Sequence, residues 1–302
     1  MPNKFPPEPE TKDDLPSPTK STLAESVLPK PVIARPTCKY GLGYLPDTHD
    51  KSKDPTSRAL FGAPLRLADS ASLEKYMTSI YDQGQTSSCT GWAFAQAIML
   101  RLKVTGITIP LPSPVNIYTC GRAMLRSQSG KTPEESPLKD EGAVPSLVVA
   151  GINQWGVASN DAWPFSPDTI NDEPELEDLE VASSFLLPPS QVYRINSVGE
   201  GRLLDVRQAI ANGYPVAIGT AVDQAFEAYS GGKKSVTAPD PSKILGGHMM
   251  HLVGYTNDGR FRGVNQWGRS WGDGGMYWAD ESFITTEYMT DLYVLAAVAS
   301  GH

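Results

Sequence analysis

Between Val216 and Leu295 this chain carries a succession of short apolar runs: Val216 to Gly219, His251 to Tyr255, Arg260 to Val264, Gly275 to Trp278 and Tyr293 to Leu295. Gly, Asn and Asp separate them, the pattern of short strands joined by turns. The preceding half reads differently. Apolar residues recur at helical spacing from about Thr90 to Lys103, ended by Gly106, and again after Ser113-Pro114 with Val115, Ile117, Tyr118 and Met124 on one face. Further helices are expected over Pro145 to Gln154 and Leu203 to Asn212, the last stopping at Gly213. Ser127 to Asp140 and the acidic stretch Asp172 to Glu180 read as polar loops. Helices followed by strands predict an α+β chain of two unlike lobes, helical then β-rich, with a cleft between them.

Residues 1–64 stand apart, holding 12 of the 26 prolines. Each proline removes a backbone donor, so this leader is expected to be extended, either as a solvated tail or as a cover over the folded domain of residues 65–302. The net charge of −8 argues against nucleic acid and anionic membranes as partners. No apolar run approaches the roughly 18 residues of a membrane span, and the N-terminus shows no standard signal-peptide core. Three cysteines, Cys38, Cys89 and Cys120, make no disulfide framework; at most Cys38 and Cys120 pair if Cys89 stays free. A monomer without cofactor is expected.

Cys89 closes the loop Gln83-Gly84-Gln85-Thr86-Ser87-Ser88 and opens an apolar helix. A thiol at a helix start feels the positive end of the dipole, which favours the nucleophilic thiolate. One cysteine before a helix is equally compatible with an inert packed thiol. A nucleophile needs a base, and of the four histidines His49 lies in the leader and His302 is the last residue. His248 follows Gly246-Gly247 at the expected start of a strand; His251, three positions on, points to the opposite face, which also argues against a metal site there. Asn265 is the candidate to orient the imidazole, with Trp267 shielding the bond, although a turn asparagine with core aromatics explains the same residues. Gln83 is the candidate amide donor to an oxyanion.

Together, Gln83-Gly84 with Cys89, then Gly247-His248-Met249, then Asn265-Gln266-Trp267-Gly268, resemble the three active-site blocks of papain-like cysteine peptidases. Ser88-Cys89-Thr90-Gly91-Trp92, Gly43-Tyr44-Leu45-Pro46-Asp47, Ser113-Pro114, Glu141-Gly142-Ala143 and Trp163-Pro164-Phe165 are similar to the bacterial branch. The resemblance runs from about Leu65 to the C-terminus. It implies a papain-like two-lobed fold with an antiparallel β-barrel-like second lobe. It implies an endopeptidase in which Cys89, His248 and Asn265 act through a covalent thioester, with Gln83 and the Cys89 backbone N–H holding the oxyanion. Gly142, Met249, Gly219 and Trp267 are expected near substrate, peptides or proteins are the expected partners, and the leader around Val32 to Tyr44 is expected on the cleft. Three departures stand out: Thr86 replaces a disulfide cysteine, Thr90 a tryptophan, and Gly247 an acidic residue. An amidase or acyltransferase using the same dyad, and a non-catalytic binding protein, are the competing readings.

Overall fold

A computed structural model describes residues 38–62, 67–175 and 191–296, with Asp178, Glu180 and Ala182 between the last two spans. The leader before Cys38, the expected domain boundary at residues 64 and 65 and part of the acidic loop lie outside the described residues. In chain order the elements are α1 (Ser57–Phe61), β1 (Ala71–Ser72), α2 (Cys89–Val104), α3 (Pro114–Gln128), α4 (Pro145–Trp155), β2 (Val192–Arg194), α5 (Gly199–Ala211), β3 (Val216–Asp223), α6 (Gln224–Glu227), β4 (Ile244–Tyr255), β5 (Phe261–Val264), β6 (Met276–Ala279), α7 (Glu281–Thr285) and β7 (Met289–Leu295).

Local chemistry sets the helix ends. The Ser113 hydroxyl accepts the Asn116 N–H at 3.1 Å and Pro114 occupies the first turn, so α3 starts where its orphan donors are met. Helix α2 is buried from Cys89 through Ile98, which explains why it lacks a polar face: α3 packs on one side of it and β4 on another.

The strands form one antiparallel sheet in the order β2-β7-β3-β4-β5-β6, with β1 added to the far end of β4. It remains an open sheet, not the barrel-like closure expected. Its outer strands are short, and loops already cover their free edges: Arg194 N–H bonds Pro55 O, and Val236 N–H bonds Trp278 O, each at 2.7 Å. Alternation along β3 divides the core. Val216 and Ile218 join Leu203, Val206 and Met250 on one face. Ala217 joins Phe94, Ile98, Ile117 and Met249 on the other. Strand β4 is longer than the sequence suggests, so His248 is an interior strand residue; β1 and β2, two and three residues long, are too short to leave a periodic signal.

Candidate active site

Cys89 is the first residue of α2 and is completely buried. The loop before it is braced from several sides. Gln83 N–H bonds Gln266 O at 2.9 Å, tying it to the Asn265 segment. The Thr86 hydroxyl donates to Gln83 O at 2.8 Å and lies 2.7 Å from the Ser88 hydroxyl. Ser87 N–H meets both carboxylate oxygens of Asp140 at 2.9 and 3.0 Å, and its hydroxyl donates to Asp140 O at 3.0 Å. Tyr118 joins this clasp, donating to Asp140 at 2.8 Å and accepting Gly142 N–H at 2.9 Å. Without a cysteine at Thr86, a carboxylate fastens the nucleophile loop to the Gly142-Ala143 segment.

His248 stands opposite Thr220 in the β3–β4 register. Its Nε2 lies 2.8 Å from Asn265 Oδ1. The same Oδ1 accepts the Gln266 backbone N–H at 2.9 Å, and a backbone N–H only donates, so the atom is the amide oxygen. His248 Nε2 therefore carries the proton, leaving Nδ1 with the free lone pair. Nδ1 is buried without a hydrogen-bond partner. Trp267, fully buried, stacks on the imidazole with centroids 4.6 Å apart. The backbone of Met249, next in sequence to His248, hydrogen-bonds to the Cys89 thiol and so ties the start of α2 to β4. The expected quartet of Gln83, Cys89, His248 and Asn265 thus belongs to one braced constellation. His251 pairs with Ala217 on the opposite face, as its position requires.

A segment of the leader lies across this constellation. Tyr40 also stacks on Trp267, centroids 4.5 Å apart and planes within 8°. Gly41 N–H bonds Gly84 O at 3.1 Å, while Gln83 Nε2 donates to Gly41 O at 3.1 Å and Thr86 O at 2.7 Å. Gly43 and Tyr44 N–H both reach Gly247 O at 3.1 Å. On the other side Ala143 N–H bonds Gly43 O at 2.9 Å, and Leu45 N–H bonds Ala143 O at 3.2 Å. Glycine is required for so close an approach: a Cβ on Gly41 would lie 2.0 Å from Thr86 O, and on Gly43 1.9 Å from Ser87 O.

The expected substrate-side residues are distributed unevenly. Gly219 lies against the Tyr44 ring, and Met249 is buried in the core cluster that holds Tyr44 and Cys89. Gly142 gives its N–H to Tyr118, and Ala143, one residue on, pairs with the backbone of Gly43 and Leu45. Thr90 is buried with its hydroxyl 3.4 Å from Ala143 O. Sequence reasoning missed the anchor behind the segment. Arg194 is ion-paired to Asp47 and Asp291, both with fully buried carboxylates, and Lys51 reaches Asp291 at 2.7 Å. Asp291 in an otherwise apolar strand was the available signal. Cys38 and Cys120 are free thiols, and among the described residues no cluster of His, Cys, Asp or Glu is placed to hold a metal ion.

Burial sets the protonation of the covered site. It pushes the Cys89 thiol up to about 11, against hydrogen bonds from Met249, Thr90 and Gly43. The dipole-favoured thiolate of an open helix start is therefore not the form under the segment. Burial likewise pushes His248 and His251 down to about 4, the Asn265 bond resisting it at His248. A folded-state pKa below the unfolded one means stability present above about 6.5 and lost as pH falls toward 4. Each histidine should contribute up to about 1.4 kcal/mol per pH unit in that window. Urea midpoints are expected to drop from pH 7 to pH 5; an unchanged midpoint contradicts the neutral, buried state of these rings.

A thiol at a helix start and a buried imidazole whose orientation an amide fixes are the groups that thiol-dependent acyl transfer requires. Residues 66–287 match the family of papain family cysteine proteases, and the chain belongs to that family. It is 26% identical over 225 residues to an uncharacterised peptidase C1-like protein of Acanthamoeba polyphaga mimivirus, covering 72% of this chain and 69% of that one. Xylellain, a cysteine protease from Xylella fastidiosa, superposes with TM-score 0.71 at 22% identity, over 88% of this chain and 100% of that one. Digestive procathepsin L 3 of Tenebrio molitor gives TM-score 0.60 at 20% identity, over 87% and 76%. The chain is a cysteine peptidase.

Proposed function

We propose that this chain hydrolyses peptide bonds by acyl transfer to Cys89, and that its own residues 40–45 cover the cleft until displaced. With the cleft open, Sγ attacks the substrate carbonyl carbon as its proton passes to His248 Nδ1. The Gln83 amide and the Cys89 backbone N–H hold the oxyanion. The C–N bond breaks as the imidazolium protonates the leaving amine, leaving a thioester on Cys89. Nδ1 then takes a proton from water, whose oxygen attacks the thioester and releases the acid and the thiol.

The observation that carries this reading is the chain's own peptide lying across the thiol. Its backbone is paired to Ala143 on one side and Gly247 on the other, with a peptide carbonyl on Gln83 Nε2. A cleft whose walls hydrogen-bond extended backbone is suited to polypeptide, which favours an endopeptidase over an amidase acting on small amides. Cys89→Ala should abolish hydrolysis of quenched fluorescent peptides and labelling by iodoacetamide at this site. Hydrolysis retained by Cys89→Ala removes the proposal.

A further inference from the structure

Beside Gly43 the covering segment inserts one side chain, Tyr44, into a pocket of the sheet. Gly219 on β3 forms one wall: a Cβ there would stand 2.3 Å from Tyr44 Cε2 and 2.5 Å from Cζ. Gly247 on β4 forms another, its Cβ position 3.0 Å from Cδ1. Two missing side chains therefore make a slot for a flat ring. Asp291, the cross-strand partner of Gly219 on β7, closes its far end. The phenol donates to Asp291 Oδ2 and lies 2.5 Å from the Thr290 hydroxyl.

The carboxylate is committed to accepting. Arg194 and Lys51 bond Oδ1, and Asp47 N–H bonds Oδ2 at 3.0 Å. With two cations already on this carboxylate, a third in the slot meets repulsion without gaining a free counter-charge. A neutral hydrogen-bond donor on an aromatic ring satisfies the pocket; a phenyl or alkyl group leaves a buried carboxylate oxygen short of a donor.

We propose that this slot is a specificity site of the peptidase and selects peptides with tyrosine at the residue that replaces Tyr44, through the phenol–Asp291 hydrogen bond. The inference rests on the reading that Cys89 cleaves peptides. Asp291 is thereby a specificity-determining residue, and Tyr44 reports the side chain the slot prefers.

Quenched peptides identical except for Tyr, Phe, Leu or Arg at one scanned position, offered to the full chain and to its Gly43→Leu variant, test this. Tyrosine should exceed phenylalanine at least about tenfold in kcat/KM, with arginine poorer still. Cleavage that depends on Cys89 but treats Tyr and Phe alike, or prefers Arg, overturns the tyrosine slot and leaves the peptidase reading intact. No Cys89-dependent cleavage of any peptide by either protein overturns both. A second arm needs no substrate. Tyr44→Phe in the full chain should speed alkylation of Cys89 by iodoacetamide about tenfold, because closure loses the same hydrogen bond. An unchanged rate contradicts the proposal.

Discussion

Gly43→Leu is expected to raise the rate at which iodoacetamide alkylates Cys89 about 100-fold at neutral pH. The Cβ of any larger residue at Gly43 would fall 1.9 Å from Ser87 O, a backbone atom fixed through the Asp140 clasp. Since Ser87 cannot yield, residues 41–45 must lift. Lifting forfeits the backbone bonds to Gly84, Gly247 and Ala143. Each is worth about 1 kcal/mol net, and the ordering entropy regained offsets part of the sum, leaving about two powers of ten. Exposure also relieves the desolvation that holds the thiol at about 11 and His248 at about 4, so the pair can ionise together. Peptide hydrolysis should rise in parallel. An alkylation rate equal to that of the unaltered chain contradicts the cover.

The second large effect concerns stability. Arg194→Ala leaves the carboxylates of Asp47 and Asp291 buried without their main counter-charge. Removing one partner of a buried ion pair costs about 3–5 kcal/mol. Arg194→Met combined with Asp47→Asn and Asp291→Asn should recover most of that loss, because no buried charge is then stranded. Urea denaturation of the single and triple variants checks this; a single variant as stable as the parent contradicts the assignment.

The same network resists acid. Burial raises the Asp291 pKa, but the Arg194 and Lys51 charges outweigh it and hold the carboxyl down to about 2. A depressed carboxyl contributes stability above its unfolded pKa of about 3.9, lost only as pH falls through about 2. Mild acid therefore acts on the buried histidines before it reaches this anchor.

Helices α2, α3 and α4 were legible because caps, prolines and apolar spacing agree at Ser113-Pro114, Gly106 and Pro145. Gln83, Cys89 and Asn265 stood out as candidates because each pairs a chemical type with a turn or element end, whereas His248, expected at a strand start, lies inside the longer β4. The Asp47–Arg194–Asp291 network was not. Its members stand far apart in sequence, on the leader, β2 and β7, and only the pairing of β2 with β7 brings two of them together. The open sheet was equally hidden, because edge coverage by loops leaves no periodic trace. Tyr44 lay in a leader motif whose resemblance was visible, while the slot that receives it depends on the β3–β7 register.

During turnover Cys89 should become acylated. Gly43→Leu protein mixed with a peptide ester, quenched in acid within the first turnovers and weighed intact, measures this directly. A mass increase equal to the acyl group is expected, mapped to Cys89 and absent from a Gly43→Leu, Cys89→Ala double variant. Turnover with no adduct, or an adduct that persists when Cys89 is removed, contradicts it.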